Sequence, residues 1–297
     1  MSYWDRLAAA KEALVAQLSH RGVESRHITF GGPGDAPARK PTVPTDARSE
    51  FLANRAMGDW AENVLAFAMR QARPDWNVCR YGSSERLAAG DPGFKEFYLR
   101  ATEVVRLYEK RPDLLVLPGC VSAPESLSEL PVEQSDPWVA QSFSGIEVRS
   151  SKVEAIRYME VRRQQRAEGN RASRDSPSFT VKVEDLKIVY RWIERYRKPQ
   201  VYAQVFFDSV FAINFLDVVR IIGSGEGFVI ETPRKSQGKS TIMIPITSGR
   251  QIGRFGELPT FQTAERITHL GRHDAFVVPI GGRLELDGEI LQEVLLG

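Results

Sequence analysis

Apolar residues recur at helical spacing from Trp4 through Leu7, Ala8, Leu14, Val15 and Leu18, which predicts an amphipathic helix over residues 4–20. Residues 30–48 abandon that pattern for Gly31-Gly32-Pro33-Gly34 and for Pro37, Pro41 and Pro44, and read as a linker or an ordered arm. A second helix runs from Ser49 to Gln71, while residues 75–81 and 97–108 look like strand or mixed segments. Arg111-Pro112-Asp113-Leu114-Leu115-Val116-Leu117 is a strand with a polar head, ending at Pro118-Gly119. Residues 118–144 hold no sustained period and read as an insertion or long loop. Ser144 to Ser151 is a short strand with charge at alternate positions, followed by helix to about Gly169 and another helix from Asp185 to Tyr196.

Pro199 to Phe207 is dense in Val, Tyr and Phe and predicts a buried strand. The apolar stretch from Val201 to Ile222 is broken by Gln204, Asp208, Asn214, Asp217 and Arg220, so it reads as a buried strand and helix and not a membrane span. Beyond Gly223 the chain turns β-rich. Segments 228–232 and 241–246 form a hairpin with a basic tip carrying Lys235 and Lys239, and 275–280 and 283–286 are further strands about Gly281-Gly282. The pattern predicts an α/β fold with a mixed central β-sheet flanked by helices. Three parts are expected: an N-terminal helix and arm over 1–48, a core over 49–222, and a β-rich region of the same domain over 223–297.

Composition narrows the field. Hydrophobic residues at 42% and charged residues at 26% supply a core for a soluble globular chain and exclude wholesale disorder. Two cysteines are too few for a disulfide framework or a thiolate zinc site. The opening Met1-Ser2-Tyr3-Trp4-Asp5-Arg6 lacks the apolar run of a secretory signal, so a cytoplasmic protein without a membrane partner is expected. The net charge of +2 hides a local imbalance: residues 149–174 hold eight basic side chains against three acids. Such a segment is either a solvated helix face or a phosphate-tracking surface.

Glu147 and Arg149 stand two apart on a strand and project together. If Asp113 heads the neighbouring strand, two carboxylates converge on one point and suit Mg²⁺, which keeps waters and accepts phosphate oxygens. A nearby cation can then steady the charge that develops when water attacks a phosphodiester.

Pro112-Asp113 followed by Glu147-Val148-Arg149 resembles the PD-(D/E)XK nuclease signature, and Gly145-Ile146-Glu147-Val148 resembles its metal-binding strand in type II restriction endonucleases. Glu147 to Ser151, Ser178 to Leu186 and Gln204 to Asp208 are similar to AccI-like restriction enzymes, and the resemblance covers residues 50–222. It implies a restriction-endonuclease-like core, Mg²⁺-dependent cleavage of double-stranded DNA at a specific site, and a cognate DNA methyltransferase in the same system. It also implies that Glu62, on the helix after Gly58-Asp59-Trp60, completes the site. The departure is Arg149, where the family carries lysine. Arginine stabilises charge but is no ready base, so Arg149 itself, Lys152 or Lys182 must serve as the cation. That departure keeps two other readings open: a DNA-binding protein without hydrolytic activity, and a structure-selective repair nuclease.

Lys152, Arg157, Arg162, Arg166, Arg171, Arg174, Lys235 and Lys239 are the expected DNA contacts. Cutting both strands of a palindrome calls for a homodimer, with the helix 4–20 and its arm at the interface. His269 and His273, four apart, lack a third ligand. Gly223 to Gly227 lacks the lysine of a phosphate loop and reads as a turn, Cys120 reads as core, and the aromatic run from Tyr202 to Phe215 reads as core rather than a stacking platform.

Overall fold

The computed structural model describes residues 2–30, 49–82, 87, 89–107, 110–169, 174–232, 240–268 and 271–296. The chain begins α1 (Tyr3–His20), α2 (Ser25–Ile28), α3 (Ser49–Ala72), β1 (Trp76–Arg80), α4 (Phe94–Leu107), β2 (Leu114–Pro118), α5 (Val132–Gln141) and β3 (Ser144–Ser150). It continues with α6 (Ala155–Ala167), β4 (Ser178–Lys182), α7 (Val183–Tyr196), β5 (Gln200–Val205), β6 (Ser209–Asn214) and α8 (Phe215–Ser224). It closes with β7 (Val229–Glu231), β8 (Thr241–Pro245), β9 (Arg250–Glu257), β10 (Thr260–Ile267), β11 (His273–Ile280), β12 (Arg283–Leu286) and α9 (Gly288–Leu296).

Seven strands form one sheet in the order β1-β2-β3-β5-β6-β9-β12. The β3–β5 pair is parallel and the other pairs are antiparallel, so the sheet is mixed as the pattern predicts. One face packs against α1, α7, α8 and the small sheet β4-β8-β7, through residues such as Leu14, Ile193, Phe215 and Phe179. The other face packs against α3 and α9, with Leu65, Met69 and Leu291 over Val116, Ile146 and Val201. Cover on both faces explains why Leu114 to Leu117 is one unbroken buried apolar run.

α1 starts at a capping box, in which the Ser2 hydroxyl and the Asp5 carboxylate each satisfy the other's backbone amide. Its stripe of Leu7, Ala10, Leu14 and Leu18 is buried within the chain, against α8 among other elements. The Pro/Gly arm and the hairpin tip lie outside the described residues.

Residues 97–108 belong largely to helix α4, and the expected loop at 118–144 contains α5, which begins after Pro131 and carries Pro137 inside it. The strands at 275–280 and 283–286 do not pair with each other: β11 pairs with β10 and β12 with β9. Gly281 and Gly282 take φ of +64° and +89°, a left-handed step between the two sheets. β5 and β6 divide an apolar run that reads as one stretch. Asp208 marks the turn between them, and its carboxylate accepts from the amides of Ala155 and Ile156 at 2.8 Å each, capping α6. Tyr202, Phe206, Phe211 and Phe215 are buried core, as expected, whereas Cys120 is exposed after β2 and Cys79 is the buried thiol.

Candidate active site

The head of β2 is fixed from two sides. Pro112 packs where a Cβ on Gly145 would collide with its ring and with Trp192, so the glycine lets β2 and β3 close up. The Asp113 carbonyl accepts from the amides of Tyr81 at 2.8 Å and Gly82 at 3.2 Å. β2 and β3 are antiparallel neighbours with Leu114 opposite Ile146, and Asp113 Oδ2 accepts from the Val148 amide at 2.7 Å. The two halves of the motif, thirty-five residues apart in sequence, are thus joined by one hydrogen bond.

Glu147 is 2% exposed, and its Oε1 carries two cations. Lys110 Nζ sits directly on it, and Arg149 Nη2 lies 3.1 Å away. The same Arg149 nitrogen reaches Asp185 Oδ2, in the first turn of α7, at 3.0 Å. A buried carboxylate needs such compensation, since an unpaired one costs several kcal/mol. The other oxygen, Oε2, is buried without a hydrogen-bond partner. Across the parallel pair, Tyr202 faces Glu147 and Gln204 faces Arg149. The Tyr202 hydroxyl and Gln204 Oε1 are likewise buried without partners, on the strand paired with that of Glu147.

Burial pushes the Asp113 carboxyl well above the usual range, and the charges of Glu147 and Glu62 push it further, against Lys110 and the Val148 amide. Burial opposes the charge of Lys110, but Glu147 and Asp113 more than compensate and hold it protonated. Arg149 follows the same logic, with Glu147, Tyr202 and Asp185 outweighing burial. Glu62 lies on α3, 4.0 Å from Arg80, and burial raises it to about 7 with help from Asp59 and Glu147.

Among the expected site residues, Asp113, Glu147 and Arg149 are brought together and Glu62 lies within their field. Lys182 is exposed at the end of β4, and Lys152 is exposed between β3 and α6. Sequence reasoning missed Lys110 and the part played by Asp185. A lysine three residues ahead of Asp113, in a chain lacking one after Glu147, is the signal that could have found the first.

Among the described residues, no group of three or more His, Cys, Asp or Glu side chains is close enough to enclose a metal ion. The fit is therefore two carboxylates, one with an unpaired buried oxygen, the donor set that suits Mg²⁺ when waters and phosphate complete its shell. His269 and Arg171 lie outside the described residues. Arg166 lies 2.5 Å from Asp175, and Arg174 lies 2.6 Å from Glu231. Arg157 is 75% exposed, with Glu154 at 3.4 Å, and Arg162 donates to Gln165 beside the Tyr158 ring. No helix among the described residues is long and apolar enough to cross a membrane.

No curated protein and no solved structure matches the chain. A family model described as AccI restriction endonuclease matches residues 17–171 and 162–296, together almost the whole length. The chain belongs to the AccI restriction endonuclease family and is a type II site-specific endonuclease.

Proposed function

We propose that this endonuclease hydrolyses phosphodiester bonds of double-stranded DNA with Mg²⁺ held by Asp113 and Glu147. The observation that carries the reading is the hydrogen bond from the Val148 amide, next to Glu147, to the Asp113 carboxylate on the adjacent strand, with Glu147 Oε2 buried and unpaired. When bound, Mg²⁺ supplies an activated water and charge neutralisation at the phosphate. Asp113 is aimed by the Val148 amide, and Arg149 holds Glu147 against Asp185. Glu62 bounds the site from α3 and closes its acidic perimeter.

α6 follows directly from the metal-holding strand, and Lys152, Arg157, Arg162 and Arg166 place positive charge along it. Arg171, Arg174, Lys235 and Lys239 extend the DNA-binding assignment beyond the helix. Cleavage of both strands at a symmetric site favours a homodimer, and a cognate methyltransferase accompanies a restriction enzyme of this kind.

Digestion of mixed-sequence plasmid with and without Mg²⁺ tests the proposal. Discrete metal-dependent fragments, absent with Asp113→Ala, are expected. Cleavage that is indifferent to Mg²⁺, or that survives in Asp113→Ala, would overturn the metal-dependent reading.

A further inference from the structure

Lys110 and Arg149 share one carboxylate oxygen but are held differently. Arg149 is pinned through one nitrogen, Nη2, which lies 3.1 Å from Glu147 and 3.0 Å from Asp185, and a guanidinium shared by two carboxylates has less freedom to follow a substrate than an ammonium on one. Lys110 rests on Glu147 Oε1 with its side chain partly exposed, and this single ion pair with Glu147 is what holds its ammonium at the buried acid. It precedes Asp113 in a segment that is itself firmly held. Arg111 turns away to donate to the Leu130 carbonyl at 2.8 Å, with its guanidinium over the Tyr81 ring. Pro112 is packed on Gly145. The segment therefore delivers Lys110 to the same point as Asp113 and Glu147. An ammonium has three donors on a flexible stem and can exchange one oxygen for another as charge moves.

We propose that Lys110 contacts the scissile phosphate and takes the place of the lysine absent after Glu147, whereas Arg149 is a positioning residue that braces Glu147. This rests on the metal-dependent reading above. In the hydrolysis, the water oxygen forms the new bond to phosphorus and loses its proton to solvent. The bond to the leaving sugar oxygen breaks, and that oxygen takes up a proton. Lys110 keeps its own proton throughout and balances charge on the phosphate oxygens. Before substrate arrives, its ammonium and a divalent cation compete for Glu147.

The competition separates a catalytic role from a structural one. Full-length Lys110→Met, Lys110→Arg, Arg149→Met and Glu147→Gln proteins would be compared for plasmid cleavage and for binding of manganese(II), followed by the resonance of the free ion. Lys110→Met should cut about 100-fold more slowly, the scale of losing one charge-stabilising group, yet bind manganese(II) at least as tightly as wild type. Arg149→Met should weaken cleavage and manganese binding together. Lys110→Arg preserves a cation on Glu147 and should melt like wild type while cutting more slowly. Wild-type cleavage by Lys110→Met or Lys110→Arg would overturn the assignment, as would weakened manganese binding by Lys110→Met. Cleavage by Glu147→Gln would instead bring down the underlying reading of the site.

Discussion

Asp113 Oδ2 accepts a hydrogen bond from the Val148 amide at 2.7 Å, so the acid at the head of β2 is aimed by the backbone between Glu147 and Arg149. An amide oxygen can accept the same bond, which makes Asp113→Asn a clean substitution. It removes a carboxyl that burial already penalises in its charged form. Cleavage should fall by at least about 100-fold, in line with loss of a group acting on the reacting phosphate. The melting temperature should stay at or above that of wild type. A variant that both cuts and melts normally would remove Asp113 from the mechanism.

Gly82 sits under the same aspartate. A Cβ there would stand 3.0 Å from Asp113 Cα and 3.1 Å from Asp113 Oδ1, tighter than most packed contacts. Backbone atoms cannot swing aside as a long side chain can, so Gly82→Ala should shift Asp113. Overpacking of this kind costs about 1–3 kcal/mol. Denaturant unfolding should register that loss, and cleavage should fall more steeply than stability. Gly58→Ala, where a Cβ meets nothing within 4 Å, provides the control.

The motif strands were legible because their chemistry is local: a polar head before Leu114, and alternate charges on Glu147 and Arg149. The mixed sheet followed from short apolar runs separated by helical text. What stayed hidden depends on contacts distant in sequence. Asp208 reads as a break after the strand ending at Phe207, but nothing near it announces that its carboxylate caps α6 or that a second strand, β6, precedes the helix. Lys110 lies among Glu109 and Arg111 and reads as a solvated charge until the fold lays it on Glu147. The amphipathic face of α1 was legible, but its partner α8, two hundred residues on, was not.

Stability should fall as pH rises through the range in which Glu62 ionises. Burial, with Asp59 and Glu147, raises its carboxyl from 4.5 to about 7, against Arg80 and Lys110. Between those values the folded protein holds a proton that the unfolded chain has released. The contribution of Glu62 to stability is therefore lost on going from 4.5 up to about 7, and that contribution levels off above. Glu62→Gln cannot ionise and should flatten this part of the profile. Urea midpoints at about pH 5 and about pH 8 bracket the transition. Equal slopes in the two proteins would show that Glu62 titrates as an ordinary surface acid.

α6 is held mainly by its first turn. Ala155 is its buried residue, and Asp208 accepts the amides that begin it, leaving the arginine-bearing turns outside the core. If those turns lie along DNA, each phosphate contact removed should lower the slope of log affinity against log salt by about 1. Arg157 has the freest guanidinium, since its link to Glu154 is long and exposed, and such pairs contribute at most about 1 kcal/mol. Arg157→Ala should therefore weaken binding to all duplexes alike. Arg166 must leave Asp175 to reach a phosphate, so Arg166→Ala should weaken binding less. Arg162, steadied by Gln165 and Tyr158, has the orientation control that a base contact requires. Arg162→Ala should cost about 1–3 kcal/mol on the cognate site and little on random DNA. Affinities measured at two salt concentrations in the Asp113→Asn background, where the duplex survives, separate these outcomes. Unchanged slopes and unchanged specificity in all three variants would leave α6 a solvated helix and move recognition to another surface.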